Sequence, residues 1–324
     1  MKYIVTGAAG LIGSALVWKL NQLGIDDILA VDHLGTSEKW KNLRALAYAD
    51  YMEKDVFMEK LLAGALPRDT EVILHMGACS STTEKDATYL VGNNFDYTRK
   101  LALYAATRGI QFLYASSAAT YGAGEHGYVD DENAIAELRP LNMYGYSKQM
   151  FDLWAKRQGL LPKITGVKYT NVFGPNELHK GEMRSVVCRA YEQIRDTGKV
   201  RLFKSYLPEY ADGEQKRDFI YVKDAVEMVM FLLGKKCHGI YNIGSGRAET
   251  WNSLATAVFK AMDKPVNIEY IDMPEYLRGK YQYYTCADIS KLRAAGYSAV
   301  VTPLEDTVAD YIRNYISKGR FLGD

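Results

Sequence analysis

Along the first half of the chain, short runs of apolar and β-branched residues alternate with longer stretches whose apolar residues recur three or four positions apart. That pattern predicts strands at residues 3–5, 28–31, 72–74, 112–114 and 164–169, with helices over 11–22, 94–107 and 146–157. Unbroken apolar runs belong to strands covered on both faces, so the expected architecture is α/β with a doubly wound parallel sheet. From about Asn171 to Gln215 the pattern loosens into glycine-rich, charged, loop-like segments. Residues 218–233 then read as a strand and helix returning to the sheet, and 244–302 as the rest of a smaller α/β lobe. No internal repeat interrupts this reading.

Composition narrows the classes. A chain of 324 residues with 48% hydrophobic and 24% charged residues is an ordinary globular protein, long enough to bury a core without disulfides. Its 40 basic and 39 acidic residues exclude a bulk field for nucleic acid or an anionic membrane. Cys79, Cys188, Cys237 and Cys286 are too far apart for a redox pair or a metal knuckle and read as reduced thiols. No apolar run reaches the ~20 residues of a membrane span, so a cytoplasmic protein is expected.

The first strand runs into Thr6-Gly7-Ala8-Ala9-Gly10-Leu11-Ile12-Gly13 and then a helix. Gly7, Gly10 and Gly13 let a pyrophosphate approach the backbone closely, and the helix N-terminus supplies amide donors and a favourable dipole. The fold expected is therefore Rossmann-type, with residues 1–170 and 218–243 binding the dinucleotide and 171–217 with 244–324 mainly binding substrate. Asp32, at the end of the second predicted strand, stands where a carboxylate holds the adenosine ribose. A 2′-phosphate there needs cations, which Lys39 and Lys54 on the following loops can supply. These residues alone leave NAD and NADP both open.

Ser116-Ser117 closes the fourth predicted strand, and Tyr144 and Lys148 follow four residues apart. On a helix that spacing places both on one face, where the ammonium can lower the phenol's pKa and reach a cofactor ribose. A phenolate can take the carbinol proton as hydride leaves, while the Ser117 hydroxyl holds the same oxygen. In a chain with 25 tyrosines such a spacing also arises by chance. Its weight comes from lying one strand and one helix after Ser117, behind a dinucleotide loop.

Together these residues resemble the extended short-chain dehydrogenase/reductase family, and Asn171 to Pro175 (Asn-Val-Phe-Gly-Pro) resembles its members that act on nucleotide-activated sugars. Within it, Ala78 to Glu84 (ACSSTTE), Leu113 to Gly122, Asn142 to Lys148, His179-Lys180-Gly181 and Leu292 to Tyr297 look like the ADP-L-glycero-D-manno-heptose 6-epimerase family. The resemblance implies that Tyr144 and Lys180 are two acid/base groups, with Ser117 and Lys148 supporting the first. It implies cofactor contacts from the glycine loop with Leu11 and Ile12, from Asp32, His33, Lys39 and Lys54, and from Met76, Gly77, Ala78, Cys79 and Ser80. Asn93, Lys148, Val172 and Lys180 complete that set. Substrate contacts are implied for Asn171, Glu182, Arg189, Phe203, Lys204, Ser205, Arg217 and Tyr281. It further implies one tightly bound NADP per subunit, an ADP-heptose substrate, no metal and a homo-oligomer, a pentamer in that family. Met76, Glu182 and Arg189 depart from the family pattern, and residues 205–216 are longer than it.

The chemistry is consistent with that assignment. A secondary carbinol with no adjacent acidic proton is inverted by losing hydride to the cofactor and regaining it on the opposite face. Because C6 lies outside the sugar ring, the sugar end must reorient, which calls for a proton-transfer group in each pose. Taken alone, Lys180 reads as a surface lysine. A 4,6-dehydratase would need an acid/base pair where Ala118-Ala119 stand. A 4-epimerase would not call for His179-Lys180-Gly181, and a non-catalytic sensor would have no use for a tuned phenol.

Overall fold

The computed structural model describes residues 1–278 and 281–324. Seven strands form one parallel sheet: Tyr3–Thr6 (β1), Ile28–Asp32 (β2), Asp50–Glu53 (β3), Val72–His75 (β4), Gln111–Ser117 (β5), Thr165–Tyr169 (β6) and, later in the chain, Gly239–Ile243. Consecutive side chains of a strand point to opposite faces, which divides the core into two layers. Ile4, Ile73 and Phe112 pack with Phe57, Leu101 and Phe151 from the helices Lys54–Leu62 (α2), Tyr97–Arg108 (α4) and Met143–Arg157 (α5). Their neighbours Val5, Leu74 and Leu113 pack on the other side with Leu16 and Leu20 of Leu11–Gln22 (α1) and Val226 and Val229 of Val222–Gly234 (α7). Between α2 and α4 lies the short helix Ala87–Leu90 (α3), continued by a π-helical turn over Val91–Asp96.

A third core holds the smaller lobe. Val187 and Ile194 of Val186–Thr197 (α6) meet Leu254, Val258 and Phe259 of Trp251–Ala261 (α8), with Phe173, Phe219 and Tyr311. Three small sheets serve this region: Asn171–Phe173 (β7) with Phe219–Tyr221 (β10), Val200–Phe203 (β8) with Ile268–Ile271 (β13), and Lys216–Arg217 (β9) with Glu249–Thr250 (β12); Gly239–Ile243 is β11. Among the described residues no helix is long and apolar enough to cross a membrane.

The predicted strands and helices form, with four corrections, the first being that the segment from Asn171 to Gln215, read as loop-like, holds α6, β7 and β8. β3 was not expected, because Asp50-Tyr51-Met52-Glu53 pairs only with β2 at the sheet edge and needs little apolar surface. The strand at residue 218 does not return to the main sheet. Instead β10 pairs with β7, and β11 adds to β6. Asp218 explains the difference, since its buried carboxylate accepts from the Ser245 amide at 2.7 Å and the Ala287 amide at 3.0 Å and so ties that segment to the lobe. Finally, α5 begins at Met143, where the Asn142 side chain caps it by accepting from the Gly145 amide at 2.8 Å.

The strand order is β11-β6-β5-β4-β1-β2-β3. The chain winds outward from β1 through β2 to β3, then crosses to β4 and winds the other way. The crevice at the ends of β1 and β4 is the topological switch point where such sheets bind ligands.

Candidate active site

The turn after β1 is built for close approach. Gly7 has φ +68°, and a Cβ there would lie 2.6 Å from the Gly77 nitrogen, at the end of β4. A Cβ on Gly13 would lie 1.9 Å from the Gly7 carbonyl oxygen. Gly10 caps α1 in an extended conformation, and no side chain bonds the first-turn amides. A diphosphate fits this cradle: unshielded donors, a positive helix end and no acidic side chain in the first turn.

Beside it, Asp32 is almost fully buried. Its carboxylate accepts from the Ala9 amide at 2.7 Å, the His33 amide at 2.7 Å and the Lys39 ammonium at 2.6 Å. Lys54 donates to Asn93 Oδ1 at 2.8 Å, and these residues with His33, Gly77, Ala78 and Cys79 wall one recess. Tyr89 and Tyr97 of the recess, and Tyr51 and Asn94, which bond its lining residues Asp32 and Cys79, were not read from the sequence. Tyr51 donates to Glu53 at 2.7 Å below His33, and Tyr89 and Tyr97 complete the wall. Asn94 grips Cys79 through both main-chain groups at 2.9 Å and bonds the Ser147 hydroxyl at 3.0 Å. Its only local sign is an Asn-Asn pair, in what proves to be the π turn.

The recess continues into a cleft of about 430 Å³ lined by Gly7, Gly10, Leu11, Ile12, Gly13, Asp32 and Lys39 around the glycine turn. Met76, Gly77, Ala78, Ser80 and Val172 extend that lining, and Ser117, Tyr144, Lys148 and Lys180 complete it. Met76 accepts a hydrogen bond from Tyr169 at its sulfur, 3.4 Å away. Lys148 donates to the Ala115 carbonyl at 2.8 Å; burial lowers its pKa to about 8, against the opposing charge of Asp152. Burial raises the Tyr144 phenol, with the Ser117 hydroxyl pulling the other way. The expectation that Lys148 depresses the phenol is thus not met, because desolvation outweighs any help from an ammonium held on Ala115.

Lys180 is no surface lysine. It sits in a turn over Leu178–Met183 that bends at Gly181, φ +54°, and burial lowers its pKa while the buried Glu177 carboxylate opposes. Asn42 holds that turn to the glycine loop: its side-chain nitrogen donates to the Ala9 carbonyl at 2.8 Å and the Asn176 carbonyl at 2.9 Å, and lies 3.2 Å from His179 Nδ1. Nothing local in the sequence marks Asn42.

A profile described as the NAD dependent epimerase/dehydratase family matches residues 3–244. The chain belongs to this family. A Nitratidesulfovibrio vulgaris protein named ADP-L-glycero-D-manno-heptose-6-epimerase is 57% identical over 97% of this chain and 98% of its own. A Fusobacterium nucleatum protein of the same name is 49% identical over 97% and 98%. The crystal structure of the Helicobacter pylori ADP-L-glycero-D-manno-heptose-6-epimerase superposes with TM-score 0.82 at 23% identity, covering 97% of this chain and 95% of that one, and so shares its fold. The resemblance to heptose 6-epimerases read from the motifs is borne out.

In this epimerase the residues expected to meet substrate are less concentrated. Arg217 is buried, with its guanidinium 5.6 Å from the Trp251 ring and 5.2 Å from the Tyr281 ring. Tyr281 also meets the Phe203 edge at 6.4 Å and accepts from the Trp251 indole at 2.8 Å, a partner not foreseen. Two rings thus face a guanidinium that, among the described residues, donates to the Lys216 carbonyl and pairs with no carboxylate. Lys204 instead pairs with Asp272 at the surface, 3.1 Å apart. The Ser205 amide donates to Asp212 at 2.7 Å, which closes the long 205–216 segment on itself. Asn171, Glu182 and Arg189 stand exposed, and the cleft described above is walled by other residues.

Proposed function

We infer that this epimerase converts ADP-D-glycero-D-manno-heptose to its L-glycero epimer at C6, supplying heptose for the lipopolysaccharide core, with NADP as its tightly held cofactor. What supports the reading most is that Tyr144 and Lys180, remote in sequence, wall one cleft together with the glycine cradle.

The nicotinamide nucleotide, when bound, supplies acceptance and return of hydride at the carbinol carbon. The chain's own groups manage the proton on the oxygen. Burial raises the Tyr144 phenol and lowers the Lys180 ammonium, shifting each toward its neutral form, and the two can give and take the proton on that oxygen. One group serves the sugar end as it is oxidised, and the other serves it after the ketone has turned its opposite face. Ser117 steadies the oxygen beside Tyr144, and the Lys148 ammonium adds positive charge there.

Incubation with either ADP-heptose epimer should produce a mixture of both with no net change in cofactor redox state. Unchanged heptose alongside turnover of a UDP-hexose would overturn the reading.

The preference for NADP rests on Lys39 and Lys54 in the recess beside Asp32. Lys39→Ala with Lys54→Ala should weaken NADP by ~10²-fold, the scale of losing two charge-assisted contacts, and leave NAD within a few-fold. Equal losses for both cofactors, measured by titration calorimetry, would remove the lysines from 2′-phosphate recognition.

A further inference from the structure

Beneath the cleft lies a buried ion pair that proton transfer does not use. Asp152 follows Lys148 by one helical turn and Tyr144 by two, so all three occupy one face of α5. Its carboxylate accepts from the Tyr114 phenol at 2.9 Å and the Ser116 hydroxyl at 2.7 Å, both on β5, and lies 3.6 Å from the Lys168 ammonium on β6. Lys168 donates in turn to Thr120 Oγ1 at 2.8 Å, and that hydroxyl donates to the Ser117 carbonyl at 2.7 Å. Between these anchors Lys148 bonds the Ala115 carbonyl. The side chains of Asp152 and Lys168 are 0% and 2% exposed. One pair therefore ties α5, β5, β6 and the turn after Ser117 together at the point where Ser117 must meet Tyr144.

Two buried charges are a costly way to stabilise a core, because desolvation offsets their attraction and an apolar pair of similar volume often does as well or better. What an apolar pair cannot supply is directional hold on Ser116 and on the Ser117 turn, or a negative charge beside Lys148.

We propose that Asp152 and Lys168 are positioning residues for the epimerase reaction: together they set Ser117 and Lys148 against Tyr144, and the Asp152 carboxylate is the counter-charge of the Lys148 ammonium. The proposal rests on the reading of Tyr144 as a proton-transfer group. The groups facing Lys148 are Asp152 on its own helix, the Cys79 thiol and His75, which burial keeps neutral with a pKa of about 3. Those facing Asp152 and Lys168 are Tyr114, Ser116 and, toward Lys168, Asp130 and the Tyr121 ring, whose centroid lies 4.5 Å from the ammonium.

The test compares the wild type with the apolar pair Asp152→Leu/Lys168→Met and the neutral polar pair Asp152→Asn/Lys168→Gln, the second covering the case in which the first does not fold. Unfolding temperature, retained cofactor, kcat, KM and the pH profile of kcat are measured. A folded double variant should keep its cofactor and a KM within about two-fold. Its kcat should fall at least ~10-fold, as for a sub-ångström misplacement of reacting groups. The alkaline limb should move to lower pH, because Lys148 loses its counter-charge and gives up its proton sooner. A folded double variant with wild-type kcat and pH profile would reduce the pair to a structural role. Tyr144→Phe run alongside separates the two readings. If it retains full activity, the site assignment and this proposal both fall; if it is inactive while the double variant behaves as wild type, only this proposal does.

Discussion

Tyr144→Phe and Lys180→Met each lower the rate of ADP-heptose epimerisation by ~10²-fold or more, the usual scale for removing a positioned acid or base. Both side chains line the cleft, and both are held toward their neutral forms by burial, so neither has an obvious substitute in its own pose. A substrate surrogate with an aldehyde at C6 probes the two poses separately, because dismutation to acid and alcohol requires hydride transfer without net inversion. Each single variant retains part of that dismutation, and the double variant loses nearly all of it. Full epimerase activity in Lys180→Met would leave Tyr144 as the sole acid/base and return Lys180 to a structural part in the turn at Gly181.

Gly13→Ala abolishes cofactor retention. The added Cβ meets the Gly7 carbonyl oxygen at 1.9 Å and its carbon at 2.6 Å, both backbone atoms that cannot swing aside, so the turn must open. Opening it moves the first-turn amides of α1 away from the diphosphate they would hold, and affinity should fall by ~10²-fold or more, the loss of several charge-assisted hydrogen bonds. Gly234→Ala, at the end of α7 with nothing within 4 Å of the new atom, is the control and should leave cofactor content unchanged. Cofactor is quantified after gentle denaturation of the purified protein. Wild-type content in Gly13→Ala would remove the glycine turn from diphosphate binding.

Much of this molecule is written in local pattern. Val72–His75 and Ile28–Asp32 are strands buried at every position, and unbroken apolar runs announce such strands without reference to anything distant. α1 and the glycine turn are equally local, since their spacing follows from the geometry of a single strand, turn and helix. The Tyr144 to Lys148 spacing belongs with them, as does the motif set that marks heptose epimerases. Each depends on residues a few positions apart.

What the sequence by itself determined, then, was the parallel α/β sheet, the glycine turn after β1 and the family. Only the tertiary structure decided that β10 pairs with β7, that Asn42 bridges the glycine loop and the Lys180 turn, and that Lys180 leaves the surface for the cleft. It also decided that Lys168 is buried within a strand, paired with Asp152, and that the Tyr144 phenol lies above its ordinary pKa rather than below. The reason is the same in every case. The energy of a polar or charged side chain is set by how much water it loses and by which distant group compensates, and chain spacing carries neither quantity.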